Sequence, residues 1–107
     1  KIVILNNNWL GNVRQWQELF FGARYSATRM LNPDYKLIAD AYNIKNILVE
    51  DRSQLRAAIE DMLSDDKPCI LDVRVIEEGS VMPMVPPGKG IGEIMLNENE
   101  CYDDNKA

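Results

Sequence analysis

The chain has 107 residues and a formal net charge of −5, from 12 Lys and Arg against 17 Asp and Glu; it has no histidine, and 46% of it is hydrophobic. That is one domain at most, with enough apolar residues for a core and too many for a disordered chain. The acidic balance excludes a nucleic-acid binder built on clustered Lys and Arg. The missing histidine excludes His-dependent triads and most zinc sites, and no apolar run reaches the roughly 18 residues of a membrane span.

Ile2-Val3-Ile4-Leu5, bounded by Asn6-Asn7-Asn8, reads as a buried strand over 2–5. A strand buried on both faces needs a neighbour on each side, so the expectation is a piece of a longer protein that begins just before a central strand. Leu10, Val13, Trp16 and Phe20 recur at helical spacing and predict a helix over 10–21, with Asn8 as its N-cap and these residues on one face. Residues 22–32 have no period and read as a loop.

Asn32-Pro33-Asp34 predicts a helix start, with Asn32 as cap, proline in the first helical position and an acid in the first turn. Leu37, Ile38, Ala41 and Tyr42 are its expected buried stripe over 33–43, closed by Asn43 in the left-handed conformation. Ile47-Leu48-Val49 predicts a strand over 47–50. Asp51 or Ser53 then caps a helix over 54–64, whose stripe is Leu55, Ala58, Ile59, Met62 and Leu63. Cys69 to Ile76 holds the third strand, centred on 69–75.

Strands alternating with helices predict an α/β fold, a three-layer parallel sheet flanked by helices. The Pro- and Gly-rich run 82–90 can hold neither helix nor central strand. Met82, Met84 and Val85 are too apolar for a plain solvent loop and suggest a segment folded over something. The expected divisions are 1–76, 77–96 and a polar, acidic tail over 97–107. Cys69, in an apolar run, and Cys101, in the tail, lack CxxC spacing. One core thiol and one tail thiol fit a reducing compartment, and the expected location is cytoplasmic.

In an open parallel sheet, ligands bind beyond the carboxyl ends of the strands. The Asn6-Asn7-Asn8 turn lies there. A helix beginning near Leu10 directs its free amides to the same place, where an anion such as a diphosphate would suit it. An asparagine oxygen and a backbone carbonyl two residues on are hard donors of the kind Mg²⁺ accepts beside phosphate. On spacing alone the turn is equally readable as a helix cap, and Trp16 as core or as the aromatic wall of a channel. Gly88-Lys89-Gly90 is not a phosphate loop, since it has no upstream glycine at the required distance and no Ser or Thr after the lysine.

Five runs carry a resemblance: Leu5-Asn6-Asn7-Asn8-Trp9-Leu10-Gly11, Val13-Arg14-Gln15-Trp16-Gln17-Glu18-Leu19-Phe20, Arg24-Tyr25-Ser26-Ala27-Thr28, Leu71-Asp72-Val73 and Met82-Pro83-Met84-Val85-Pro86-Pro87-Gly88-Lys89-Gly90. From Lys1 to about Glu93 the chain resembles the C-terminal end of the catalytic subunit in the acetohydroxyacid synthase (acetolactate synthase) family. That family decarboxylates pyruvate on thiamine diphosphate and adds the two-carbon unit to pyruvate or 2-oxobutyrate, in the biosynthesis of valine, leucine and isoleucine. The resemblance implies the C-terminal half of a thiamine-diphosphate-binding domain. Asn7 would give its side-chain oxygen and Trp9 its backbone carbonyl to Mg²⁺, with Leu10, Gly11 and Asn12 beside the cofactor. The family usually has methionine where this chain has Asn12, so the apolar contact there departs from the pattern. Trp16 matches a tryptophan lining the substrate channel, and Pro87 and Gly88 match a lid.

The resemblance further implies FAD bound outside this stretch, a homodimer or tetramer with a small regulatory subunit, and an isolated chain that is inactive. The Gly-Asp-Gly start of the cofactor motif and the activating glutamate are not in these residues. The rival readings are another thiamine-diphosphate enzyme, a pyruvate oxidase or oxo-acid decarboxylase, and a free-standing α/β binding or regulatory domain. The first predicts the Asn turn but neither the RQWQELF nor the MPMVPPGKG run; the second does not account for the opening strand.

Overall fold

A computed structural model describes residues 1–77 and 79–97; of the expected acidic tail, all but Asn97 lies outside the described residues, as does Cys101. In chain order the elements are β1 (Ile2–Asn6), α1 (Gly11–Phe20), α2 (Tyr35–Ala41), β2 (Lys45–Val49), α3 (Leu55–Leu63) and β3 (Cys69–Arg74), with single 3₁₀ turns at Arg52–Gln54 and Ile91–Glu93. They form two compact units. The first comprises Lys1–Asn8 and Leu31–Glu77; the second comprises Trp9–Met30 and, among the described residues, 79–97.

The first unit is a three-stranded parallel sheet in the order β1-β3-β2. The expected parallel α/β arrangement is present, and β3 is its centre: Leu71 lies in register with Val3 on one side and Ile47 on the other. The strand residues Cys69, Leu71 and Val73 alternate onto one face and pack with Val49 and with Ala58 and Met62 of α3. Ile47 and Leu55 border that cluster. Helix α2 packs on the same two strands, and its fully buried residue, Ala39, is not a member of the cluster. Cys69 is a buried free thiol, as expected of the core cysteine.

Several expectations are corrected here. Among the described residues strand β1 pairs only with β3, at the edge of this sheet, and Ile2, Val3 and Leu5 are exposed, Leu5 by 71%. Continuous apolar sequence signals burial but does not say whether the covering surface belongs to the same stretch of chain. In α2 the stripe Leu37, Ile38 and Tyr42 is exposed and the helix is shorter than predicted, because its N-cap is Asp34, not Asn32. The Asp34 carboxylate accepts the Lys36 and Leu37 amides at 2.8 and 3.2 Å, leaving Asn32 for another role. Asn43 ends the helix with φ +53°, as predicted. Asp51, not Ser53, starts the third helical segment. It accepts the Ser53 amide at 2.8 Å while Gln54 reaches back to the Asp51 amide, a reciprocal cap on the 3₁₀ turn that leads into α3. Ala58 and Met62 are buried, whereas Ile59 and Leu63 are exposed.

In the second unit α1 begins at Gly11 with Leu10 in the cap position and no side-chain cap, so Asn8 does not cap it. Its buried residues are Gln15 and Leu19, while Leu10, Val13 and Trp16 are exposed. The helix ends in a left-handed turn at Gly22, φ +59°, where the Ala23 amide reaches back 3.0 Å to the Gln17 carbonyl. The Gln17 side chain accepts the Ser26 amide and the Thr28 hydroxyl and donates to the Ser26 carbonyl, which orders the following loop. Residues 82–90 hold neither helix nor strand, as predicted. The segment is not loose, however: Met84 and Met95 exchange both backbone hydrogen bonds at 2.8 and 3.0 Å, and Met95 is buried.

Candidate functional site

At the carboxyl end of β1 three asparagines meet a charged pair on β3. Asn6 is 3% exposed, and its Nδ2 donates to Asp72 Oδ1 at 3.2 Å. Asp72, itself buried within the sheet, has its other oxygen 3.3 Å from the Arg74 guanidinium. Asn6 Oδ1 accepts twice, from the Asn8 amide at 3.2 Å and from Asn32 Nδ2 at 2.8 Å. The first is an Asx turn spanning Asn7. Asn8 has φ +58°, a conformation that asparagine tolerates because its short side chain bonds locally. Its side-chain Nδ2 donates to Glu77 Oε1 at 3.1 Å and its Oδ1 accepts from Asn32 Nδ2 at 3.4 Å. Asn32, Asp72 and Glu77 thereby hold one turn, with half-buried Asn7 at its apex.

The second unit places Trp9, Leu10, Gly11 and Asn12 as the lead into α1. Trp9 forms an antiparallel bridge with Arg29, whose hydrogen bond runs from the Leu10 amide to the Thr28 carbonyl at 2.8 Å. Two cations lie over the indole, the Arg14 guanidinium 4.7 Å and that of Arg29 5.7 Å from its centroid, with Tyr25 edge-on at 5.8 Å. Such contacts are worth about 0.5–2 kcal/mol each. They occupy the indole of Trp9 within the protein, so a ligand role for this residue falls to its main chain.

Beside this lies an open groove of about 490 Å³, lined by Asn12, Val13, Gln15, Trp16, Val81 and Met84. Trp16 is 47% exposed. Its side chain stands in the wall of this groove, and its ring meets Phe20 edge-on at 6.1 Å. Asn12 and Trp16 are brought together here. Pro87 does not line the groove; it is exposed in a turn closed by the Lys89 amide on the Pro86 carbonyl at 3.1 Å, with Gly88 at φ +77°. In that turn only Gly88 needs the left-handed region, which glycine enters without strain.

Among the described residues no group of three or more Cys, Asp or Glu side chains could hold a metal, and no helix is long and apolar enough to cross a membrane. The shifted carboxylates lie outside this region. Asp51, Asp65 and Glu93 fall below the ordinary range because they accept hydrogen bonds: Asp51 first from the Ser53 hydroxyl, Asp65 from the Lys67 amide and Glu93 from the Gly90 amide. Sequence reasoning missed Gln15, Asn32, Asp72 and Glu77. Asp72 carried a signal, a charge inside an apolar strand, which demands a buried partner. Gln15 carried none, since a glutamine in an amphipathic helix reads as solvent-facing.

Residues 1–73 match the family described as thiamine pyrophosphate enzyme, C-terminal TPP binding domain. The chain is 40% identical over 97 residues to the acetolactate synthase large subunit of Porphyra purpurea, covering 89% of the chain and 16% of that protein. It is 44% identical over 96 residues to the acetolactate synthase isozyme 2 large subunit of Escherichia coli (strain K12), covering 89% and 18%. With the mitochondrial acetolactate synthase catalytic subunit of Saccharomyces cerevisiae it shares 41% identity over 95 residues, covering 89% and 14%. The chain thus spans less than a fifth of the length of these relatives.

Proposed function

We propose, from a chain that belongs to the thiamine pyrophosphate enzyme family as its C-terminal TPP binding domain, that these residues serve an acetolactate synthase catalytic subunit. The parent decarboxylates pyruvate and condenses the two-carbon unit with pyruvate or 2-oxobutyrate. The observation that carries this reading is the 40–44% identity to acetolactate synthase large subunits over 89% of the chain, which extends past the matched domain into the Met- and Pro-rich segment.

In this reading Asn7 Oδ1 and the Trp9 carbonyl, two residues on in the chain, would be Mg²⁺ ligands. Both are neutral hard oxygens, a donor set that fits a metal shared with a diphosphate better than an all-protein cage. The Asx turn of Asn6 fixes the backbone around Asn7, and the stack on Trp9 fixes the residue that offers its main chain. Leu10, Gly11 and Asn12 would hold the cofactor beside them, and the free amides at the start of α1 suit its diphosphate. Thiamine diphosphate supplies the stabilisation of the two-carbon carbanion equivalent. Trp16 and the groove receive the acceptor 2-oxo acid, and Pro87 with Gly88 belongs to a lid. The divisions 1–76, 77–96 and 97–107 then stand for cofactor half-domain, lid and tail. FAD, the activating glutamate, the homodimer or tetramer and the regulatory subunit belong to the whole protein, and the cytoplasm to its proposed location.

The test has two arms. The intact enzyme carrying this chain forms acetolactate from pyruvate when supplied with thiamine diphosphate and Mg²⁺; pyruvate consumption without acetolactate would assign another thiamine-diphosphate chemistry. The 107-residue chain alone gives no saturable heat when titrated with the same pair at micromolar levels. Its two proposed protein ligands carry no charge, and micromolar binding would refute this division of the site.

A further inference from the structure

We infer that Gln15 is a specificity-determining positioning residue, which sets the wall of the Trp16 groove by gripping the backbone of Val81; this rests on the reading of that groove as the acceptor pocket. Gln15 is 5% exposed on a helix whose apolar neighbours Val13 and Trp16 are half-exposed. A buried carboxamide must find partners for both its ends. Here Oε1 accepts the Val81 amide at 2.8 Å and Nε2 donates to the Val81 carbonyl at 2.9 Å, with Met84 Sδ 3.2 Å away. One side chain thus pairs with both backbone groups of one residue, as a neighbouring strand would.

The grip matters because the Val81 side chain does not hold that residue in place. It is 64% exposed, so little apolar burial anchors it. Met84, three residues on, has an anchor of its own in the paired bonds to Met95, which is 4% exposed. The groove is lined by Asn12, Val13, Gln15 and Trp16 from α1 and by Val81 and Met84 from the later segment. Of the two residues from that segment, Met84 keeps its backbone pairing without Gln15 and Val81 does not. Four apolar side chains with two amides, in a volume typical of small-molecule sites, suit a short-chain 2-oxo acid. The distance of Val81 from the indole then decides how well one more methylene is held.

The experiment uses the intact enzyme with Gln15→Met, which keeps length and apolar bulk and removes both bonds to Val81, and Gln15→Glu, which keeps an acceptor for the Val81 amide and sets a carboxylate oxygen against the Val81 carbonyl. Amide exchange is read at Val81, Met84 and Met95 by fragmentation mass spectrometry. Product ratio is read in competition between 2-oxobutyrate and pyruvate as acceptor. In Q15M, Val81 exchanges roughly tenfold faster, as expected for loss of two neutral hydrogen bonds of ordinary net worth, while Met84 and Met95 are unchanged; the product ratio shifts with it. In Q15E both changes are smaller. Unchanged Val81 exchange in Q15M, or equal loss in both variants, overturns the grip. Faster exchange at an unaltered product ratio overturns the role in specificity. A wild-type enzyme that makes no acetolactate would fail the functional reading alone, since the exchange at Val81 still decides the grip.

Discussion

Replacing Asn6 with alanine is the most informative single change in the asparagine turn. The side chain makes three hydrogen bonds, to Asp72, Asn8 and Asn32, while 97% of its surface is covered. The bond to the Asp72 carboxylate is of the charged class, worth about 1.5–3 kcal/mol; the other two are neutral, at about 0.5–1.5 each. Asn8 and Asn32 are half-buried, so water recovers part of their loss, whereas Asp72 is as buried as Asn6 and keeps only Arg74. The net cost is about 2–4 kcal/mol, a large share of the roughly 5–15 kcal/mol that holds a domain together. Urea unfolding of the 107-residue chain by far-ultraviolet circular dichroism measures it. Amide exchange at Val75, whose N–H donates to the Asn6 carbonyl at 3.1 Å, localises it to the end of the β1–β3 ladder. A loss below about 1 kcal/mol, with Val75 still protected, would mean that water replaces all three bonds and that the network does not hold the turn.

In the intact enzyme, Trp16→Leu loosens discrimination between 2-oxobutyrate and pyruvate by roughly 10–200-fold, the value of about 1–3 kcal/mol of pocket contact; unchanged product ratios from a folded variant would return Trp16 to a packing role. Leu71→Ala removes the bulk of a side chain that is 1% exposed on the central strand, where paired neighbours on both sides resist collapse, and costs about 3–5 kcal/mol in urea unfolding at an unchanged m-value. Asp51, Asp65 and Glu93 have carboxyl groups held below their ordinary values of 3.8 and 4.5 by hydrogen bonds made only in the fold. Their stabilisation is therefore complete above those values and disappears as pH falls through the lower folded ones. Asp51→Asn flattens the acid limb of a stability–pH curve, and an unaltered limb would refute the contribution. Lys36 and Lys45, raised by Asp40 and Asp61, act in the opposite sense and lose their contribution only as pH rises past 10.5.

How much was legible in the residues follows from the range of each interaction. Strand and helix types depend on local periodicity, so β2, α3 and β3 lie within about two residues of their expected places, and Asn43 closes α2 in the left-handed region because few other residue types tolerate it. The proposed cofactor turn could be picked out because its residues fall within one short run, Asn7 to Asn12, whose likeness to a family suggests their roles. Caps were less certain, since Asn32, Asp34 and Asn8 are all good candidates locally. Tertiary structure drew Asn32 and Asn8 into the network around Asn6, which left the cap of α2 to Asp34 and that of α1 without a side chain.

Periodicity also could not say which face of a helix is covered by this stretch of chain. It marked Leu37 and Tyr42 of α2 as a buried stripe and set Val13 and Trp16 on one face of α1, yet all four are exposed, and Gln15 and Ala39 are buried. The pairing of Gln15 with Val81 spans 66 residues and uses an amide whose partners are backbone groups. Backbone groups are the same at every position, so no residue type announces the partner. The sequence by itself determined the elements, their parallel order and the contiguous turn, because these rest on neighbours along the chain. Only the tertiary structure decided that β1 forms an edge, that Asp72 and Asn32 brace the asparagines, and that a glutamine shapes the groove beside Trp16, because each depends on surfaces brought together from distant positions.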